Sequence, residues 1–294
     1  MMRRFLFVLC ALLPLAACAA VMNALEEATG EDTAAGKLVR GANRLRKSFQ
    51  DLDPSEEYFI GRSVAAQLLA MPEYAIDPDP KLTAYVQRVG AGLVALNDGV
   101  RRPFLDYRFA VLKTQEVNAF ACPNGLILVS RGLLANTKKE EEVAAVLAHE
   151  IAHVTLRHGV AAIQQGNLAQ AFTYLGAGAA QATMNQEDLN ALTDLFDGSV
   201  NDVVQTLVTS GYSRDAEYAA DKLGREFLAG AGYDPQALAH VLGCMQDHGG
   251  QGGMMSTHPA PKDRVAELGG PVAFVGGADG EQVRQARFQA AFGR

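Results

Sequence analysis

His149-Glu150-Ile151-Ala152-His153 sets two imidazoles four residues apart, with a carboxylate between them. The preceding residues, Glu140 to Ala148, favour helix. On a helix, His149 and His153 project from one face a turn apart, the geometry for two metal–nitrogen bonds. Glu150 lies about 100° round from His149, near enough to touch a metal-bound water without ligating the metal. Zinc lowers the pKa of such a water and a carboxylate beside it can take the proton, so the chemistry indicated is metal-assisted hydrolysis. The plain alternative is a pair of surface histidines on an ordinary helix. The apolar context of the motif argues against it, because two His and a Glu are costly there without a partner.

A catalytic zinc needs a third protein ligand. His158 lies nine residues beyond His149, half a turn off its face at about 100° per residue. It is expected at the helix end, against the C-terminal dipole and ahead of Gly159. The third ligand is therefore expected on another helix. In Ser213-Arg214-Asp215-Ala216-Glu217-Tyr218-Ala219-Ala220-Asp221, Glu217 and Asp221 are also four apart. Glu217 can reach the metal while Asp221 accepts the outer N–H of a ligand His and fixes its tautomer. Ala219, Ala220 and Leu223 point to close packing rather than a solvated acidic face. Glu187 and Glu226 are the other candidates, and neither has this pairing.

The elements that must position these groups read as an α+β arrangement, mainly helical with a small sheet beside the active-site helix. A helix starts near Asp53-Pro54-Ser55, with Ser55 capping and Val64, Leu68 and Leu69 on one face. A second covers Lys81 to Leu96, with Leu82, Tyr85, Val86, Val89 and Leu93 inward. Tyr107, Phe109 and Val111 alternate as in a strand. Val117 to Ala121 and Leu126 to Ser130 flank a hairpin-like turn at Cys122-Pro123-Asn124-Gly125. Ala161 to Met184 reads as a buried or amphipathic helix, and Gly243 to Gly253 as a loop. The expected organisation is a signal peptide over 1–17, a lipidated N-terminus and tether over 18–52, the domain over 53–268 and a tail over 269–294.

The N-terminus carries its own chemistry. Arg3 and Arg4 precede a nine-residue apolar run, Phe5 to Leu13, too short to span a bilayer. Leu15-Ala16-Ala17-Cys18 then resembles a bacterial lipobox, in which Cys18 receives a diacylglyceryl group and becomes the first residue. Ala19 after it resembles the sorting pattern of outer-membrane lipoproteins. Cys122 and Cys244 then remain as a possible disulfide in an oxidising compartment. The 294 residues, 49% hydrophobic, carry a formal charge of -7; an acidic chain without a basic run is a poor nucleic-acid binder.

Several ordered motifs carry a resemblance. They are HEIAHVTLRHG at His149 to Gly159, SRDAEYAADKLG at Ser213 to Gly224, Asn118 to Gly125 followed by Arg131 to Leu134, and Thr257-His258-Pro259 followed by Arg264. Together they resemble peptidase family M48, the HtpX, Oma and Ste-type zinc gluzincins, from about Glu56 to Leu268. The resemblance implies a zincin domain with one zinc ion per chain held by His149, His153 and Glu217, and Glu150 as catalytic base. It is nearest the periplasmic lipoprotein branch that performs quality control at the outer membrane. A departure is that no helical-repeat domain follows Arg264, where only about thirty residues remain.

The function expected is thus a zinc metalloendopeptidase on the periplasmic side of the envelope, acting on unfolded or misassembled polypeptides. An extended substrate would pair with the strand at Asn118, Ala119 and Phe120. His258 would either occupy a fourth zinc position as a latch or donate to the oxyanion, with Arg264 supporting charge nearby. The rival is a zinc-containing envelope lipoprotein acting as chaperone or scaffold with a closed site.

Overall fold

The computed structural model describes residues 54–163, 186–247, 258 and 261–293. Cys18, the signal and tether segments, and Ala161 to Met184 beyond residue 163 lie outside these residues. The chain divides into two compact units: Met1–Asp51 with Gln165–Leu195, and Leu52–Gln164 with Phe196–Arg294. Of the first unit only residues 186–195 are described. The second holds the core and the histidine motif.

Proline is tolerated in the first turn of a helix, where its missing N–H has no partner to lose. Helix α1 (Pro54–Ala70) begins on such a proline, so Ser55 sits inside the first turn rather than capping it. Val64 and Leu68 are buried on one face. Helix α2 (Pro80–Ala95) is capped by Asp79, whose carboxylate accepts from the backbone of Lys81 and Leu82. Its Leu82, Tyr85, Val86, Val89 and Leu93 turn inward, following the helical period.

Strands β1 (Arg108–Leu112), β2 (Ala119–Ala121) and β3 (Leu126–Ser130) form one sheet in the order β1-β3-β2. β1 runs parallel to β3, and β2 antiparallel to it with Phe120 opposite Leu128. The hairpin closes through the Cys122 N–H on the Leu126 carbonyl at 2.9 Å and the Gly125 N–H on the Cys122 carbonyl at 2.9 Å. Gly125 sits at φ +81°, where a side chain would be strained. β2 is an edge strand. It and β3 are buried along nearly their whole length, so both show apolar runs instead of alternation.

Helix α3 (Arg131–Asn136) follows β3 directly, capped by Ser130. Helix α4 (Glu140–Thr155) carries the histidine motif and is buried from Glu140 to Val154. After it come α5 (His158–Ala161), α6 (Gln186–Gln205), a π-turn at Thr206–Ser210, α7 (Arg214–Gly230), α8 (Ala237–Asp247), α9 (Pro261–Glu267) and α10 (Ala278–Phe292). α4 is the axis of the core, packed by α7 most extensively and also by α2, α8, β2 and α10. The α4–α7 approach is close: a Cβ on Gly224 would stand 3.2 Å from the backbone of His149.

Two expectations change. α8 continues through Gly243 to Asp247, so the glycine-rich stretch is helical at its start, while 248–257 lie outside the described residues. A helical Gly costs about 1 kcal/mol; burial of Leu238, Val241 and Leu242 outweighs it. Residues 269–294 are no tail. α10 inserts Phe288 into the core at 2% exposure, edge-on to Tyr85 at 6.4 Å. Among the described residues no helix is long and apolar enough to cross a membrane.

Candidate metal centre

Because α4 lies in the core, its polar side chains are enclosed: His149, Glu150 and His153 are 2%, 1% and 1% exposed. The Nε2 atoms of His149 and His153 face each other at 3.0 Å. Ser213 caps α7 through its hydroxyl on the Ala216 N–H and starts the helix in a register that aims Glu217 at both rings. Glu217 Oε2 lies 3.6 Å from His149 Nε2, and Oε1 lies 3.4 Å from His153 Nε2. His258 places Nδ1 2.8 Å from the Glu217 carboxylate. One donor atom from each of these four residues falls within 4.8 Å of the rest, and all four are buried.

One turn further along α7, Asp221 Oδ1 lies 2.9 Å from His149 Nδ1. Arg264 of α9 grips the same carboxylate, Nε to Oδ2 at 2.8 Å and Nη2 to Oδ1 at 2.5 Å, and sets Nη1 3.2 Å from Glu217 Oε2. All three groups of this guanidinium are thus engaged on carboxylates. Arg264 clamps α7 to α9 and sets its charge beside the donor cluster.

The protonation states follow from this packing. Burial pushes the Asp221 carboxyl up, but the Arg264 hydrogen bond and His149 pull it down to about 2. For Glu217, burial is again opposed, by the His258 charge and by hydrogen bonds from His153 and His258, and it is held well below its ordinary value. Burial lowers His153 despite Glu217, favouring the neutral imidazole that ligates metal.

His158 departs from the expectation. α4 ends at Thr155 and Arg157 adopts the left-handed conformation at φ 59°. The reversal brings His158 Nδ1 to 2.9 Å from His153 Nδ1, so counting 100° per residue past the helix end placed it wrongly. Burial and His153 lower its pKa to about 4, leaving it neutral and able to accept from His153. Tyr212 was missed altogether. Its ring stacks on His153 at 4.4 Å and 20°, and its buried hydroxyl has no partner among the described residues. Only its place before the Ser213 cap could have drawn notice.

The remaining candidates sort by position. Asn118, Ala119 and Phe120 are buried at 1%, 2% and 1%. The Asn118 N–H donates to Ser130 Oγ at 3.0 Å, and Phe120 packs edge-on to Tyr74 at 5.0 Å. Only their backbone can therefore face a substrate. Glu226 is exposed and is not one of the four clustered donors, and the Glu187 side chain lies outside the described residues. Cys122 and Cys244 are not bridged. Burial, then the Glu150 charge, pushes the Cys122 thiol up to about 12, far from the thiolate that disulfide formation needs.

The donor set fits a divalent cation. Glu150, Glu217 and Asp221 are buried carboxylates, and Arg264 is the one guanidinium among them. With every imidazole neutral, as metal ligation requires, three negative charges less one positive leave two to balance; without metal, burial is outweighed by Glu217, which raises the His258 pKa, and a charged His258 takes up one of the two. Among the described residues, Glu150 Oε1 is also buried without a hydrogen-bond partner, a costly state unless something absent from the protein atoms meets it.

A helix-borne His-Glu-x-x-His motif completed by a glutamate from a second helix defines a metallopeptidase-like centre. The family model described as Peptidase family M48 matches residues 80–272, and the chain belongs to that family. It is 32% identical over 196 residues to a "Beta-barrel assembly-enhancing protease" of Yersinia pestis, covering 64% of this chain and 38% of that protein. "Mitochondrial metalloendopeptidase OMA1" of Arabidopsis thaliana is 33% identical over 162 residues, 54% of this chain and 30% of its own length. "Metalloprotease YcaL" of Escherichia coli strain K12 is 25% identical over 260 residues, 87% and 94%. The match thus spans less than two fifths of the assembly-enhancing relative.

Proposed function

We propose that the chain is a zinc-dependent metalloendopeptidase of the bacterial cell envelope. It would be lipid-anchored through Cys18 at the periplasmic side of the outer membrane, and would degrade unfolded or misassembled periplasmic and outer-membrane proteins. The observation that carries the catalytic reading is the buried, charge-deficient donor set with Glu150 on the same helix. His149 and His153 through Nε2, and Glu217, would hold one zinc ion per chain. Zinc bound there would supply Lewis acidity toward a scissile carbonyl and a more acidic water. Glu150 takes the proton of the attacking water and returns it to the leaving amine. Asp221 holds His149 by Nδ1 and His158 holds His153 by Nδ1, fixing both ligand rings. β2, as an edge strand, offers its backbone to an extended peptide, which implies selection by access rather than sequence. The names of the assembly-enhancing relatives support substrates at the outer membrane, and the lipobox-like Leu15 to Cys18 supports the anchor.

The place of His258 among the four donors favours the latch over the oxyanion donor. It also gives a second reading some ground: four protein donors make a closed set, as in structural zinc, suiting an envelope lipoprotein that acts as chaperone or scaffold. Casein degradation separates the two. Glu150→Gln keeps zinc and fold but loses proteolysis, and activity within a few-fold of the unaltered protein overturns the mechanism. His258→Ala raises basal activity if His258 is a latch. A large drop in turnover in His258→Ala at unchanged zinc content instead assigns His258 to the oxyanion, and zinc-loaded unaltered protein and His258→Ala that are both without proteolysis support the closed-site reading.

A further inference from the structure

At the start of α1 and in the loop before β1 lies a surface the proposed reaction does not use. Tyr58 and Phe59 meet with ring centroids 5.7 Å apart, and Tyr58 meets Phe104 at 5.9 Å. Phe59 is 59% exposed, Phe104 56% and the adjoining Leu105 47%. Adjoining apolar tips exposed in this way are the kind of patch that marks a contact surface.

The rim of this patch has a sign. Arg62 is exposed one turn beyond Tyr58 and Phe59 on α1. Arg108, also exposed, lines a recess of about 220 Å³ together with Tyr58, Leu105 and Asp106. The carboxylate of Asp106 is taken by Arg102 at 3.2 Å, so among the described side chains Arg62 and Arg108 leave the rim positive on a chain whose formal charge is -7. Aromatic tips ringed by arginine are the composition of a membrane-interface contact, in which the rings enter the headgroup layer and the guanidiniums meet lipid phosphate.

We propose that Tyr58, Phe59, Phe104 and Leu105, rimmed by Arg62 and Arg108, dock on the surface of an anionic phospholipid bilayer. The contact deepens the envelope reading and rests on it only for which bilayer is met. An acyl chain on Cys18 would attach the N-terminus and leave the domain free to turn. This patch, a few residues after α1 begins at Pro54, would fix which side faces the membrane.

The chain has no tryptophan, so a single introduced one reports on its own surroundings. In the full chain carrying Cys18→Ala, Phe59→Trp and Phe104→Trp are each mixed with vesicles of phosphatidylethanolamine and phosphatidylglycerol. Val283→Trp on α10, at a site 64% exposed, is the reference. Emission at 59 and 104 should shift to the blue and be quenched by brominated acyl chains, while position 283 responds to neither. Adding Arg62→Ala and Arg108→Ala should weaken the vesicle titration at least about tenfold. Unchanged emission at 59 and 104, an equal response at 283, or a shift that grows with protein concentration without vesicles overturns the proposal. The last would indicate a protein partner. A silent patch in a chain whose acylated form still fractionates with membrane sinks this contact alone and leaves the envelope reading standing.

Discussion

The two ends of α4 each bury three carboxylates, and they are neutralised differently. At the N-terminus stand Glu140, Glu141 and Glu142, 0%, 3% and 7% exposed. Arg287 donates to both oxygens of Glu140, Tyr233 donates to it at 2.9 Å, and Arg284 donates to Glu141 at 2.7 Å. Glu142 accepts from the Lys138 backbone at 2.6 Å. Two guanidiniums and a helix N-terminus worth about half a positive charge offset most of the three negatives, although Glu141 Oε2 has no hydrogen-bond partner among the described residues. At the other end Glu150, Glu217 and Asp221 have Arg264 as the one guanidinium among the described residues, and their other partners are imidazoles that must be neutral to ligate metal. Buried acid is therefore no mark of a site by itself; acid left short of positive charge is.

The largest difference between the ends should appear in catalysis. Glu150→Gln should lower casein turnover by about a thousandfold, within the range for a lost general base, while Glu140→Gln should change it only a few-fold. Comparable losses in both would erase the distinction between a reactive and a structural end. Metal content comes next. Glu217→Ala should lower zinc occupancy measured by elemental analysis, and full occupancy would show another third ligand. His158→Ala should weaken zinc binding by about ten- to a hundredfold, the usual cost of losing a partner of a ligand imidazole, and a competition titration with a chelator of known affinity reads it.

Stability should show the reverse pattern. Arg287→Ala leaves Glu140 enclosed and short of charge. Since Arg287 is 29% exposed, the loss should be about 2 kcal/mol, less than for a fully buried pair. That corresponds to a fall of about 4–8 °C in the thermal midpoint, with zinc stoichiometry unchanged. A chelator should lower the midpoint of the unaltered protein and of Arg287→Ala alike, but hardly that of Glu217→Ala. The smallest effect belongs to Tyr212→Phe. It removes a buried hydroxyl with no partner and keeps the ring on His153, so the midpoint should move by less than about 0.5 kcal/mol equivalent. A larger drop would mean the hydroxyl holds a group that the protein atoms do not include.

Much of the centre was legible because helical periodicity is local. His149, Glu150 and His153 are placed by a run of strong helix formers, and the four-residue interval from Glu217 to Asp221 repeats the logic on a second helix. β1 and the hairpin were legible for similar reasons, through alternation and the Asn124-Gly125 signal. Local rules failed where the chain stops being periodic. A left-handed Arg157 returned His158 to His153, against the angle counted along a straight helix. Residues 269–294 looked like a remainder because Phe288 and Arg287 have value only once Tyr85 and Glu140 are beside them.

By itself, then, the sequence determined which residue types could meet a metal and which helices would carry them, because spacing along a helix fixes direction. Only the tertiary structure decided that Arg264 is spent on Asp221 and Glu217, that Tyr212 lies flat on His153, and that one cluster of buried acids is nearly balanced by arginines while the other, with its imidazoles neutral, is left short. Charge balance is a sum over groups far apart in the chain, Arg287 with Glu140 and Arg264 with Asp221. No local pattern records such a sum until the elements have packed.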